Sequence, residues 1–275
     1  MENPRYWISQ WYSTRFSKEP WPGGWYWHDY DFNWHGPFDS EHEAAVDLKD
    51  YEDSERAASD ARERTRPQFE LYFSPTSPYC QKVLIAIYEK GARFSPHIVD
   101  LANAESRKEY RRLYPLGKVP LIVLNHGPLI PESNIIIEYL DGLGGPRLIS
   151  ADPDVARKTR FKDKFIDLYL TESVAWLLHE HRKPQRDRDA ENIEKYRDRI
   201  VVVYDFLEHE LEGQTWANGD TFSLSDCAAA AALSYAQETT PYTDYPNIVA
   251  YSERLAQRDS VRSARQDAGR YRAAQ

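Results

Sequence analysis

Two hydrophobic periods run along this chain, and the change from one to the other divides it. Between residues 69 and 130 short apolar runs alternate with amphipathic stretches; beyond residue 150 only the helical period remains. Phe69–Phe73 is an apolar and aromatic run of strand length, and it predicts a buried strand. The turn cluster SPTSP follows. Ser77 before Pro78 marks a helix start, with Ser as N-cap and Pro at the first helical position. Cys80, Val83, Leu84 and Ile87 form one apolar stripe, and Gly91 closes the helix. A hydroxyl therefore opens a helix directly after a core strand, where free N–H groups and the dipole favour an anion.

Further strands are expected at residues 94–100, 119–124 and 127–130, with a short charged helix at 106–113. Pro120 has no N–H to give a ladder, so its strand must begin at an edge or just after a special turn, and Val119–Pro120 is a candidate cis bond. Residues 131–145 read as a helix with Glu132 and Ser133 in its first turn, followed by Ile135, Ile136, Tyr139 and Leu140. Gly142, Gly144, Gly145 and Pro146 end it. This order predicts a small α/β layer domain over residues 67–145.

Residues 152–275 read as all-α. One long pattern covers 155–182, with Phe161, Phe165, Leu168, Tyr169, Val174 and Leu177 as core candidates. A second covers 190–211, with Tyr196, Ile200, Val203, Phe206 and Leu207. Ser223 and Asp226 form a capping box, and Phe222 with Cys227 stands at the hydrophobic-staple positions, before an Ala-rich helix. Residues 246–257 and a charged terminal helix complete the chain.

Residues 1–66 differ. Six of the eight tryptophans lie there (Trp7, Trp11, Trp21, Trp25, Trp27, Trp34). The run from Gly24 to Phe38 predicts a hairpin with Trp25 and Trp27 on one face and a polar turn near Asp29 to Asn33. Ser40 and Glu43 form a capping box, and Ala44, Leu48 and Tyr51 fall at helical spacing before a charged continuation. The reading is a ββα appendage, serving either as a docking surface or as a module that packs its own aromatics. His28, Asp31, His35 and His42 match no metal-ligand spacing.

The formal charge of -9 argues against a general nucleic-acid binder, and no apolar run is long enough to span a bilayer. The only cysteines, Cys80 and Cys227, are far apart; they form no disulfide framework and fit a reducing cytosol. The first residues lack the layout of a signal peptide. A packed cytoplasmic protein is expected.

Four marks occur in register: Ser77–Pro78–Tyr79–Cys80, Gly117–Lys118–Val119–Pro120–Leu121, Pro131–Glu132–Ser133, and the box from Ser223 to Asp226. Together they resemble the soluble glutathione transferase superfamily over residues 69–260, and residues 1–66 have no counterpart there. The resemblance implies a thioredoxin-like domain followed by an all-helical domain, glutathione as co-substrate, a hydrophobic electrophile as second substrate, a homodimer, and a role in detoxification. It places Ser77 against the glutathione sulfur, with Ser74 and Thr76 as alternative hydroxyls. An O–H donor about 3 Å from a thiolate stabilises the anion. Ser77 serves equally as a simple helix cap. The phenol of the family's Tyr-type members would fall nearest Phe73, which disfavours that mechanism. Cys80 is either buried packing or a redox thiol. Val119 would pair its main chain with the cysteinyl unit as an added strand, with Pro120 turning that backbone. Glu132 and Ser133 would hold the γ-glutamyl end, and Lys118 either meets the glycyl carboxylate or is simply solvated. Tyr169, Trp176, His179, His181 and Tyr235 are candidates for the second substrate's walls. The same site suits dehalogenation, ether cleavage, isomerisation or peroxide reduction, and a non-catalytic interaction role stands as the alternative from another class.

Overall fold

The computed structural model describes residues 24–28, 33–65, 67–125 and 127–273. The chain divides into two compact units, Met1–Arg66 and Pro67–Gln275.

In the first unit, strands β1 (Trp25–His28) and β2 (Trp34–Phe38) pair antiparallel, and helix α1 (Glu41–Thr65) follows. The expected ββα order holds among the described residues, while the tip of the predicted turn, residues 29–32, lies outside them. Ser40 Oγ accepts the Glu43 N–H at 3.2 Å, and Glu43 Oε2 accepts the N–H of Asp39 at 3.1 Å, one residue before the expected position. Trp27 is buried with Ala44 and Leu48. Its indole stacks on His35 with ring centroids 3.9 Å apart, and its N–H donates to Asp47 at 3.1 Å. The module therefore has an aromatic core of its own.

In the second unit, β3 (Phe69–Phe73) leads through α2 (Pro78–Lys90) to a parallel neighbour, β4 (Phe94–Ile98). Helix α3 (Ala104–Leu113) starts two residues earlier than expected because Asn103 caps it; its side chain accepts the N–H groups of Glu105 and Ser106. Strands β5 (Leu121–Leu124) and β6 (Leu129–Pro131) add antiparallel, giving the order β4-β3-β5-β6. Phe69, Leu71, Phe73 and Ile122 face α2 and α4 (Ser133–Asp141), whereas Tyr72, Leu121 and Val123 face Tyr110 of α3. This is the two-residue alternation of a sheet covered on both faces.

The helical half comprises α5 (Pro153–Phe165), a π-helical turn (Ile166–Thr171), α6 (Glu172–Arg182), α7 (Ala190–Glu210), α8 (Leu224–Thr239), α9 (Pro246–Gln257) and α10 (Asp259–Ala273). It shares one continuous core with the α2/α4 face of the sheet. The long pattern at 155–182 is helical throughout, but three inward assignments need correction. Phe161 is 54% exposed, Leu168 49% and Tyr169 45%, and Ile135 of α4 is also exposed. The buried stripe runs instead through Ala156, Thr159, Asp163, Ile166, Leu170, Val174 and Leu177, one helical period that continues through the π-helical turn. In α4 the buried stripe runs through Ser133, Ile136, Ile137 and Leu140.

The capping box at α8 is present and more embedded than its sequence suggests. The Asp226 carboxylate is fully buried and accepts from the Ser223 N–H and hydroxyl, the Ala217 N–H and the Tyr251 hydroxyl. The far end of α2 is held by Arg258 and α10: Glu89 receives Arg258 at 2.6 and 2.8 Å together with Ser260, and Tyr88 donates to Asp267, while Tyr271 of α10 meets Phe73 at the end of β3 edge-on.

Candidate active site

Strand register gathers the site residues. Tyr72 of β3 lies opposite Leu121 of β5, which lies opposite Pro131 of β6. The next residues outward are Phe73 and Ser74 on one strand, Pro120 on the next, and Glu132 on the third. Neighbouring strands are about 5 Å apart, so the loop to Ser77, the Val119–Pro120 peptide and the Glu132–Ser133 pair share one end of the sheet. Helices α2 and α4 both begin there, so two sets of free N–H groups open on the same side.

Ser77 occupies the N-cap of α2 in an extended conformation (φ -88°, ψ 124°), and Pro78 follows at the first helical position. Its hydroxyl makes no capping hydrogen bond, so the oxygen is not spent on the helix as a cap would be. The Ser74 N–H reaches the Cys80 sulfur at 3.4 Å. Burial nevertheless pushes the Cys80 thiol up to about 12, against the lowering effect of Ser77 and Ser74. A completely buried thiol with that pKa is packing rather than a nucleophile. Ser74 and Thr76 stand 3.4 Å apart through their hydroxyl oxygens. Tyr72 points to the α3 face, stacks on His97 and donates to Glu70 at 2.9 Å, which keeps its phenol away from Ser77.

The Val119–Pro120 bond is cis, as its position before β5 predicts. The Tyr110 hydroxyl donates to the Lys118 carbonyl at 2.8 Å and so holds the chain just before that bond. The Lys118 side chain is exposed, Val119 half-buried and Pro120 buried. Glu132 adopts φ 70° and ψ 121°, the sole non-glycine residue with positive φ among the described residues. Such a conformation costs on the order of 1–3 kcal/mol and clusters at ligand-holding sites. It leaves Glu132 exposed while Ser133 starts the helix in a buried position.

Sequence reasoning passed over four residues beside this site. Lys82 is buried in α2 and pairs with Asp163 and Asp167 of the helical half. Tyr79 donates its hydroxyl to the Asp167 carbonyl at 3.3 Å. Burial raises the Tyr79 phenol above its usual range, and Asp167, Glu172 and Glu132 add to this in that order. Burial pushes the Asp163 carboxyl up to about 6 against the attraction of Lys82, and Asp167 pushes it the same way. The available signal was one lysine inside an apolar helix together with two aspartates at i and i+4 in another. Among the described residues no group of three or more His, Cys, Asp or Glu is placed to hold a metal, and no helix is long and apolar enough to cross a membrane.

Comparisons with known proteins agree with this architecture. A family profile described as the glutathione S-transferase N-terminal domain matches residues 71–147, and one described as the C-terminal domain matches residues 165–259. Glutathione S-transferase 2 of Saccharomyces cerevisiae is 27% identical over 212 residues, 73% of this chain and 91% of that one. The crystal structure of a glutathione S-transferase from Methylobacillus flagellatus with glutathione bound superposes with a TM-score of 0.65 at 28% identity, covering 71% of this chain and 98% of that one. One from Methylobacterium radiotolerans, in complex with glutathione sulfonate, does so at 0.63 and 27%, covering 71% and 93%. Two domain profiles in the right order and whole-length structural neighbours coincide with the thioredoxin-like sheet and the helical half. This chain belongs to the glutathione S-transferase family.

Proposed function

We propose that this protein is a glutathione-using transferase in which the glutathione thiolate attacks an electrophilic carbon of a hydrophobic small molecule. The carrying observation is the register that brings the Ser77 helix start, the Val119 main chain and the Glu132–Ser133 pair to one end of the sheet. Solved neighbours at 27–28% identity hold glutathione or its sulfonate, and this supports the same ligand here.

In this reading Val119 offers its N–H and C=O to the cysteinyl unit, aligning it as an extra antiparallel strand. Ser133 and the α4 N–H groups take the γ-glutamyl carboxylate, and Glu132 pairs with the amine. Lys118, exposed beside Val119, meets the glycyl carboxylate. The thiol loses its proton more readily because its anion accepts the Ser77 hydroxyl and lies at the positive end of α2. The thiolate is the nucleophile, and aiming it is most of the remaining catalysis. Conjugation moves the sulfur lone pair to carbon as the leaving group departs with its electron pair. The free, buried cysteines fit a reducing cytoplasm. A homodimer fits the exposed apolar side chains Leu129 and Ile135 on the sheet half and Val201 and Val202 on α7, which a second copy would cover.

Calorimetric titration with glutathione, followed by a conjugation assay with an activated aryl halide, tests the reading. Ser77→Ala should keep the fold and lower turnover about 10-fold, about 1.4 kcal/mol of transition-state stabilisation. No heat at millimolar glutathione with folded protein would sink it; an unchanged Ser77→Ala rate would transfer the hydroxyl's role to Ser74 or Thr76.

A further inference from the structure

Lys82 is 1% exposed in the middle of α2, and thiolate formation has no use for it. Its ammonium lies 2.8 Å from Asp167 Oδ2 and also pairs with Asp163, so both partners come from the helical half. Asp167 is engaged a second time through its main chain. Its carbonyl accepts the Glu172 N–H, five residues on, and the Tyr79 hydroxyl. Tyr79 and Lys82 are three residues apart and share a face of α2. Two side chains from the opening turns of the Ser77 helix therefore grip one π-helical turn, one by charge and one through a carbonyl.

Stability alone does not account for this arrangement. Three charged groups must leave water together, and apolar replacements of such groups are often neutral or stabilising. Fixed polar partners instead select one geometry, where a purely apolar contact would let the turn slide or relax to α-helix. Turns of this π-helical kind concentrate at functional sites. This one presents Leu168 and Tyr169 outward and is followed by Glu172. Tyr79 feels both Glu172 of the helical half and Glu132 of the thioredoxin-like half, which puts it beside the seam where the two halves meet the site.

We propose that Tyr79, Lys82, Asp163 and Asp167 form a positioning network that fixes the π-helical turn against the start of α2, and thereby sets the wall on which the second substrate lies. The kinetic consequence rests on the glutathione reading; the structural one does not. None of the four touches the reacting atoms. They act through the turn and through Glu172, whose N–H closes the turn on the Asp167 carbonyl and whose charge reaches Tyr79.

Tyr79→Phe in the full chain removes only the hydroxyl. Hydrogen exchange at the amides of residues 166–172 should quicken about tenfold or more, a local opening that leaves the global transition in place. With glutathione saturating and 1-chloro-2,4-dinitrobenzene varied, KM for the aryl halide should rise about fivefold or more, while KM for glutathione holds within about twofold. A hydroxyl serving stability alone would not separate the two constants. Because Lys82→Met alone would strand two buried carboxylates, the second variant is Lys82→Met with Asp163→Asn and Asp167→Asn, which keeps size and removes charge. It should show the same split. Unchanged exchange in both variants overturns the network. Faster exchange with both KM values unmoved overturns its link to the second substrate. Wild-type protein that conjugates nothing sinks the glutathione reading instead, and the exchange comparison then decides the network by itself.

Discussion

Asp226→Ala is the substitution for which the structure gives the largest and most easily checked effect on stability. From the capping box alone the loss would be about 1 kcal/mol, the usual cost of removing one helix cap. The carboxylate, however, is completely buried and accepts four hydrogen bonds, two on each oxygen, at 2.6–2.8 Å. Alanine would orphan the N–H groups of Ala217 and Ser223 and the hydroxyls of Ser223 and Tyr251. The hydroxyls can rotate, but the two main-chain donors cannot. Each buried orphan costs about 1–3 kcal/mol. Burial pushes the Asp226 carboxyl up, so removing it also relieves a desolvated charge, which trims the sum. The net loss should be about 3–5 kcal/mol, in the exceptional range for one substitution. For a unit of this size that lowers the thermal midpoint by roughly 10 °C. Urea unfolding followed by circular dichroism, with the slope unchanged, measures it directly. A loss under about 1 kcal/mol would refute the reasoning, because four charge-assisted bonds would then net no more than one surface cap.

Asp163 provides a pH test. Its carboxyl is raised from 3.8 to about 6, so its contribution to stability is present below the lower value and lost as pH climbs through the upper one. Asp163→Asn should flatten the stability–pH curve across that interval and leave the protein at least as stable as wild type at neutral pH, where Lys82 keeps Asp167; thermal midpoints across the interval would show it, and a large loss at neutral pH would contradict it. Trp27→Ala should open a cavity worth about 3–5 kcal/mol in the first unit, seen as fast amide exchange in α1 with the exchange of α2 and α8 unaltered. Removing residues 1–66 should leave glutathione affinity within about twofold; lost affinity in folded product would show that the first unit helps to build the site.

Much of the site was legible because each of its residues stands at an element boundary that a punctuating residue marks. Ser77 precedes Pro78, Val119 precedes Pro120, and Glu132–Ser133 opens a helix that the glycines at 142 to 145 close. Such marks are local, so one strand or helix suffices to read them. Phe161, Leu168 and Tyr169 were misread because two apolar stripes of the same period run along 155–182, and only packing against α2 and α8 selects the one through Ile166 and Leu170. Lys82 escaped notice for another reason: its partners are 81 and 85 residues away, and a charge inside an apolar helix reads as a solvated edge until its counter-ions are placed. The positive φ of Glu132 had no signal either, since glycine or asparagine is the residue that normally advertises it.

The grip of α10 on α2 has a consequence for biosynthesis. The bonds from Arg258, Ser260 and Asp267 reach residues 169 to 179 positions earlier in the chain. The helix that begins with Ser77 thus leaves the ribosome long before its partners are translated. It must wait, with part of its apolar surface uncovered, until residues 258–267 have been made. Pairings so distant in sequence form slowly, and exposed intermediates aggregate. Products that stop short of α10 should accordingly be clients of chaperones, and its loss would be felt first at α2 and the end of β3.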